Sequence, residues 1–424
     1  MTDVLIVGAG SAGSVLAERL SCDPDRRVTV VEAGPGQPIV GALTGDAMTL
    51  PIGPDSPVIR RYRTLLTADP PRSADIVRGE CLGGSGAVNG CYFWRALPQD
   101  FEGLPGWSWT QIERHYRAVE TRIAARTVEF SASTARFAAV AAAAGFGSGV
   151  SPVPLNIDHG RRRGPGTVFL EPALARPNLT VLTGVRAIRV RLTGGRAVGI
   201  DAMAADGPVT LDADRVVLTA GAIATAQVLL CSGIGPADEL RALGIPVEAD
   251  LPVGRRTWDH PEWVIPTGWT AEATSPVLEA VLNQDDLEIR PYTTGFGSPT
   301  LSIGVALMRP QARGRVSLAS ADPAVPPRIE HRYGSEPADV AALTRGSRLV
   351  NEIIGEATTL GEPVWGTSQH LAGTAPIGEV VDARLRVHGT DSLVVADGSV
   401  LPTPLGRGPH ATIAMIGHRA AEFI

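Results

Sequence analysis

The sequence predicts an α/β fold: a discontinuous domain built on a buried parallel sheet, and a second domain with an antiparallel sheet and flanking helices. Three observations carry this. A short apolar run, Val4–Val7, leads through Gly8-Ala9-Gly10-Ser11-Ala12-Gly13 into a helix and a second apolar run, Val28–Val31, that ends on Glu32. From about residue 262 to 380 the pattern changes to alternating segments and one long helix. The opening style then returns at Leu393–Ala396.

Val4–Val7 is too short for a helix and apolar throughout, as a buried parallel strand must be. The helix that follows carries Val15, Leu16 and Leu20 on its inner face. Strand, glycine turn, helix, strand and terminal acid together form the dinucleotide-binding fingerprint of a Rossmann-like domain. Gly8 allows the tight turn, Gly10 the close approach of a pyrophosphate, and Gly13 the packing of helix on strand. The helix N-terminus, at Ser11 and Ala12, offers N–H groups and a partial positive charge to phosphates. The Glu32 carboxylate, followed by Ala33, can accept hydrogen bonds from both ribose hydroxyls. With no arginine beside it, Glu32 argues against a 2′-phosphate and so against NADP; FAD and NAD share the fingerprint.

Residues 33–76, rich in Gly, Pro and Asp, read as a long connection over the surface. The segment Arg78-Gly79 to Asn89-Gly90 holds five glycines and leaves a bare backbone for something flat or phosphorylated. Trp107–Val119 reads as an amphipathic helix and Thr134–Ala144 as an alanine-rich one. Asn178–Val190 and Ala197–Met203 read as paired strands around Gly194-Gly195. Arg215–Thr219 is a buried strand running into the helix Ile223–Cys231, stopped by Ser232-Gly233. Ala237–Leu243 is a short helix. Leu301–Met308 and Val316–Leu318 alternate like antiparallel strands, Pro337–Ile354 is a helix, and a closing helix runs from about Ala411 to Phe423. The expected division is a cofactor domain of residues 1–100, 165–261 and 381–424, and a substrate domain of residues 101–164 and 262–380.

A chain of 424 residues is long enough for two cores. A net charge of −6 gives no electrostatic case for nucleic acid. The four cysteines, Cys22, Cys81, Cys91 and Cys231, lack CxxC spacing, which argues against zinc and sets a reduced, cytoplasmic default. Met1 runs into the first strand, so no signal peptide is expected. The apolar stretches are too short for a transmembrane segment, although peripheral contact with the inner membrane face stays open.

Several segments, in order along almost the whole chain, resemble the glucose–methanol–choline (GMC) oxidoreductases. Beyond the opening fingerprint these are Arg78–Gly90, Gly221–Pro236, Val253-Gly254 with Asp259-His260-Pro261, and the C-terminal block from Gln369-His370-Leu371-Ala372-Gly373-Thr374 to Ala396-Asp397-Gly398. The resemblance implies FAD as cofactor. It places Arg78, Gly83, Gly84, Ser85, Asn89 and Gly90 along the phosphates and flavin, Ala187 at the adenine, and Gly221, Asp397 and Gly398 near the pyrophosphate and ribityl chain. Val88 stands where some members carry a flavin-linked histidine, so the FAD is expected to be non-covalent. Gly86 replaces a residue that is usually Ser. His370, and His410 in Gly408-Pro409-His410, match the two positions at the flavin's reactive face, so His410 counts with the cofactor contacts as well. No metal is expected.

Oxidising an alcohol needs a proton acceptor with a pKa near working pH, which imidazole provides, and a second polar group to hold the hydroxyl. His370 is the expected base and His410 its partner. His260, His388 and His418 are expected to be structural, and Arg161-Arg162-Arg163 a solvated turn. The compact length resembles the actinobacterial branch associated with mycofactocin, which implies a peptide-derived alcohol substrate and a respiratory acceptor; oxygen or a quinone are the other acceptors. A shortened lid implies an open site. Two alternatives use the same residues: a hydroxynitrile lyase with redox-silent FAD, and a non-catalytic flavin-binding protein.

Overall fold

A computed structural model describes residues 2–37, 39–271 and 275–424. In chain order, β1 (Thr2–Val7), α1 (Ser11–Leu20) and β2 (Val28–Glu32) form the opening unit. Next come α2 (Ile39–Thr44), the hairpin β3 (Ile59–Ala68) and β4 (Pro71–Gly79), α3 (Trp109–Ile123), α4 (Ala132–Ala143) and β5 (Val150–Pro152). Then follow β6 (Leu179–Thr183), β7 (Arg186–Thr193), β8 (Arg196–Ala204), β9 (Gly207–Leu218) and α5 (Gly221–Cys231). The second half contains β10 (Pro261–Thr270), β11 (Ala280–Gln284), β12 (Leu287–Pro291), β13 (Thr300–Leu307), β14 (Arg315–Ser317) and β15 (Arg328–Glu330). It closes with α6 (Pro337–Ile354), β16 (Val364–Thr367), β17 (Leu393–Val395) and α7 (His410–Ala420).

A seven-stranded sheet has the order β6-β2-β1-β9-β8-β7, with β17 pairing to β9. The pairs of β1 with β2 and β9, of β2 with β6 and of β9 with β17 are parallel. Val4, Leu5, Ile6 and Val7 are all buried because neighbours cover both faces of the central strand. The fingerprint turn closes as its glycines require: Gly8 has φ 102°, and a Cβ on Gly13 would lie 2.0 Å from the Gly8 carbonyl oxygen. A six-stranded antiparallel sheet, β16-β10-β13-β12-β11-β5, packs α4 and α6 over its apolar residues.

Three expectations are corrected. Residues 33–76 are no mere connection, because they hold α2 and most of the β3–β4 hairpin, which joins β14 and β15 in a four-stranded sheet. The alternation of β3 is hidden by Arg60, Arg61 and Arg63, which cluster around its one buried tyrosine, Tyr62. The segment 178–190 is two strands: Gly184, at φ 71°, breaks it, so β6 pairs with β2 while β7 joins the β7–β8 hairpin. The helix expected at Trp107 starts at Trp109, where Ser108 and Gln111 form a capping box.

Candidate active site

The first turn of α1 has the extended Gly10 as its N-cap, no side-chain cap and no acidic residue. Its N–H groups therefore present an uncompensated positive end. The glycine loop lies directly over it: Gly83 N–H donates to the Ala9 carbonyl at 2.9 Å, and a Cβ on Gly84 would sit 2.7 Å from Gly10 Cα. Ser85 Oγ accepts from Gly79 N–H at 3.1 Å. Glu32 is buried at the end of β2 and accepts N–H bonds from Ala9 and Gly34, each at 3.0 Å. Burial pushes its carboxyl up to about 7, against those two bonds. Ala33 follows it, half-buried. Ala187, on β7, sits two residues beyond Val185, whose N–H donates to the Glu32 carbonyl at 2.9 Å. At the far side, Asp397 accepts from Gly221 N–H (2.8 Å), Thr225 Oγ1 (2.6 Å) and Ser399 N–H (2.8 Å), so it ties the end of β17 to the start of α5. Gly398 packs next to it, against Ile413 and Ala372. Arg78, half-buried on β4, donates to the Val77 carbonyl. A bare backbone cradle, an uncapped helix start and a carboxylate at a strand end match a pyrophosphate and a ribose diol, so these residues fit a bound FAD.

His410 is the first residue of α7. Its Nδ1 is 3.0 Å from Asn89 Nδ2 and its Nε2 is 3.1 Å from Ser11 Oγ. Asn89 Oδ1 accepts from Cys91 N–H at 3.1 Å, which turns the amide NH2 towards His410. An amide NH2 only donates, so His410 Nδ1 accepts and its proton resides on Nε2. Gly90 follows Asn89 and packs on Val277. Phe93 meets the imidazole edge-on at 4.9 Å. Burial pushes the His410 imidazole down to about 4, opposed by the Tyr92 carbonyl, so it is neutral at pH 7.

The His370 ring lies beside the loop that leads into α7. A Cβ on Gly408, two residues before His410, would lie 3.4 Å from His370 Cε1 and 3.1 Å from the Tyr92 ring. The His370 backbone N–H donates to Asp259 Oδ1 at 2.7 Å, and its Nδ1 is 2.8 Å from His260 Nδ1. Burial lowers its pKa well below the ordinary imidazole value, with His260 adding to the shift. Gly86 marks how tightly the cradle and the histidines meet. A Cβ there would lie 2.8 Å from His410 Nε2 and 2.5 Å from Ser11 Oγ. Both clashing atoms are side-chain ends, so Gly86→Ser should keep the fold and displace His410. The expected result is a loss of about 100-fold in flavin reduction with the unfolding midpoint nearly unchanged, as a displacement of about 1 Å at a reacting group produces.

Sequence reading missed a buried charge network beside His370. Arg290 binds Glu262 at 2.9 Å and Glu288 at 2.8 Å. Tyr92 donates to Glu288 at 3.0 Å, and Tyr292 and Ser368 donate to Glu262 at 2.6 and 2.9 Å. Charged residues in a strand read as a solvated face, and only the stacking of β10 and β12 around β13 buries them. The solvated-turn reading of Arg162 is corrected: its buried guanidinium donates to the carbonyls of Thr44, Asp46, Thr49 and Asn89 and so fastens the segment after α2 to the site. His418 is buried in the closing helix, 2.8 Å from His115 and 2.7 Å from Arg19. His159 and His388 are exposed. Among the described residues, no three His, Cys, Asp or Glu side chains are placed to hold a metal, and no helix is long and apolar enough to cross a membrane.

Comparison with known proteins bears on the whole chain. The two GMC oxidoreductase family profiles match residues 2–262 and 310–417. A GMC-type oxidoreductase of Rhodococcus erythropolis is 38% identical over 485 positions, covering 100% of this chain and 98% of the relative. Because 485 aligned positions exceed the 424 residues present, the relative has internal segments that this chain lacks. An oxygen-dependent choline dehydrogenase of Pseudomonas aeruginosa is 29% identical, covering 100% of this chain and 94% of its own length. The crystal structure of pyridoxine 4-oxidase from Mesorbium loti superposes with a TM-score of 0.89 at 25% identity, covering 100% and 99% of the two chains. The chain belongs to the GMC oxidoreductase family and is an FAD-dependent oxidoreductase.

Proposed function

We propose that the protein oxidises a primary alcohol, with His370 as base and His410 as the donor that holds the hydroxyl, and with the FAD held non-covalently against the first turn of α1 and the Gly83–Gly90 loop. In this reading the seven-stranded sheet carries the cofactor and the six-stranded sheet walls the alcohol. The observation that carries the reading is that the His370 ring lies beside Gly408, two residues before His410, while His410 Nε2 reaches Ser11 in the first turn of α1. When bound, FAD supplies an electron sink for the hydride at its N5. The chain supplies the rest. His410, with its proton on Nε2, donates to the alcohol oxygen and aims the C–H bond. His370 takes the hydroxyl proton as the hydride departs. Phe93, Tyr92 and the buried network behind them keep water away from both rings.

Primary alcohols are favoured because the choline dehydrogenase, the pyridoxine 4-oxidase and a 5-(hydroxymethyl)furfural oxidase of Methylovorus are named for substrates with a hydroxymethyl group. The test is anaerobic mixing of the FAD-loaded enzyme with choline, pyridoxine, 5-(hydroxymethyl)furfural and reduced mycofactocin. Bleaching of the flavin band by at least one of them is expected; reoxidation by oxygen and by quinone-like dyes then identifies the acceptor. An intact band beside cleavage of a hydroxynitrile contradicts the reading.

The pH dependence follows from burial. A base acts only when neutral, and burial holds the folded pKa of His370 below 6.5. The rate of flavin reduction should therefore stay level as pH falls from 7 to 6.5 and drop only below that. An acid limb centred at or above 6.5 would show that burial does not govern the base.

A further inference from the structure

We infer that His260 is a positioning residue that fixes the tautomer of His370 and thereby leaves His370 Nε2 as the proton acceptor. The inference rests on the reading of His370 as the base. His260 stands in Asp259-His260-Pro261, at the entry to β10, and is completely buried. Its Nε2 lies 2.9 Å from the Leu405 carbonyl oxygen. A carbonyl oxygen only accepts, so Nε2 carries the proton. A neutral imidazole has one N–H, so His260 Nδ1 holds a lone pair. That lone pair faces His370 Nδ1 at 2.8 Å, with the two rings nearly perpendicular. Two lone pairs cannot face each other at this distance. His370 Nδ1 is therefore protonated and its Nε2 is bare.

The geometry is held by a single carboxylate. Asp259 Oδ1 accepts the backbone N–H of both His260 (2.8 Å) and His370 (2.7 Å), which sets the spacing of the two rings. Asp259 Oδ2 is occupied by Tyr333 at 2.9 Å and by Thr367. The charged groups around His260 are Asp259, Arg290 and Glu288; those around His370 are Arg290 and Arg78. Burial outweighs Asp259 and pushes His260 down to about 4, which keeps it neutral at pH 7. A protonated His260 would donate to His370 Nδ1, move the His370 proton to Nε2 and abolish the base. When His370 takes the alcohol proton on Nε2, its Nδ1–H keeps the bond to His260, so the new charge forms against a ready acceptor. His410 holds the opposite tautomer, so the pair supplies one bare nitrogen, on His370, and one N–H, which rests on Ser11 Oγ in this structure.

The first test is nitrogen NMR of 15N-histidine-labelled, FAD-loaded wild-type protein at pH 7. His370 is expected with Nδ1 protonated and Nε2 bare; the reverse tautomer overturns the inference whatever the variants do. The second compares His260→Phe, which removes the acceptor, with His260→Asn, which places an amide oxygen near the lost Nδ1. With the panel alcohol that bleaches the wild type fastest, His260→Phe should lower the limiting rate of flavin reduction about 100-fold, and His260→Asn should recover to within about 10-fold of wild type, the range seen when a partner that orients a functional histidine is lost. KM should change little. In a His370→Ala background, His260→Phe should cost nothing further, because a residue acting only through His370 has nothing left to position. Wild-type rates in His260→Phe, no recovery in His260→Asn, or additive losses in the double variant each overturn the inference. Loss in His370→Ala with none in His260→Phe sinks the positioning role alone. A wild-type rate in His370→Ala removes the base assignment and takes this inference with it.

Discussion

His370→Ala should retain FAD and its visible spectrum while its anaerobic flavin reduction falls by about 10²- to 10⁴-fold, the range a positioned general base contributes. The bond that anchors this segment, from the His370 backbone N–H to Asp259, is untouched by the substitution. The cradle is made by Gly10, the Gly83–Gly90 loop and Glu32, none of which depends on the His370 ring. His410→Asn should lose far less, because an amide can still donate a hydrogen bond to the hydroxyl. Rapid-mixing spectroscopy separates the two. Equal losses at the two positions would contradict the division into acceptor and donor, and an unchanged rate in His370→Ala would remove the base.

The largest effect on stability is expected for Arg290→Met. Arg290, Glu262 and Glu288 are all buried, and among the described residues Arg290 is the one cation within ion-pair distance of either carboxylate. Removing it leaves two carboxylates facing each other in a dry interior. Each of the three groups loses its hydration in the interior, and only the intact cluster compensates that loss. The expected loss is about 3–5 kcal/mol, the cost of breaking a buried ion pair from one side. Chemical denaturation of the FAD-loaded protein measures it. An unchanged midpoint would mean that the Arg290 pairs add nothing to stability. The network also holds Tyr92 against Gly408, so loss of activity should accompany loss of stability.

The cofactor cradle was legible because its determinants are local. Gly8, Gly10, Gly13 and Glu32 lie within one strand–turn–helix–strand unit, and each residue type is demanded by a backbone conformation or a close approach. Both candidate histidines are proposed from the sequence through the short segments that flank them. What escaped notice depends on partners distant in sequence. His260 looks structural in Asp-His-Pro until Leu405 and His370 close around its two nitrogens. Arg162 looks solvated until four carbonyls from two segments converge on it. The β3–β4 hairpin was hidden because arginines occupy the exposed positions of a strand whose buried side is narrow. In the sequence Gly86 is only a departure from the family pattern; the lack of room for a Cβ beside His410 and Ser11 gives it a physical reason.

The central claim is that an alcohol C–H bond breaks towards the flavin while a buried imidazole takes the hydroxyl proton. Its most direct test is anaerobic flavin bleaching by an alcohol deuterated at the carbinol carbon, compared with the ordinary alcohol. The account predicts slower bleaching with the deuterated alcohol in the wild type, and a still slower, isotope-sensitive reaction in His370→Ala. Bleaching that ignores the deuterium, or product formed while the flavin band stays intact, would contradict it.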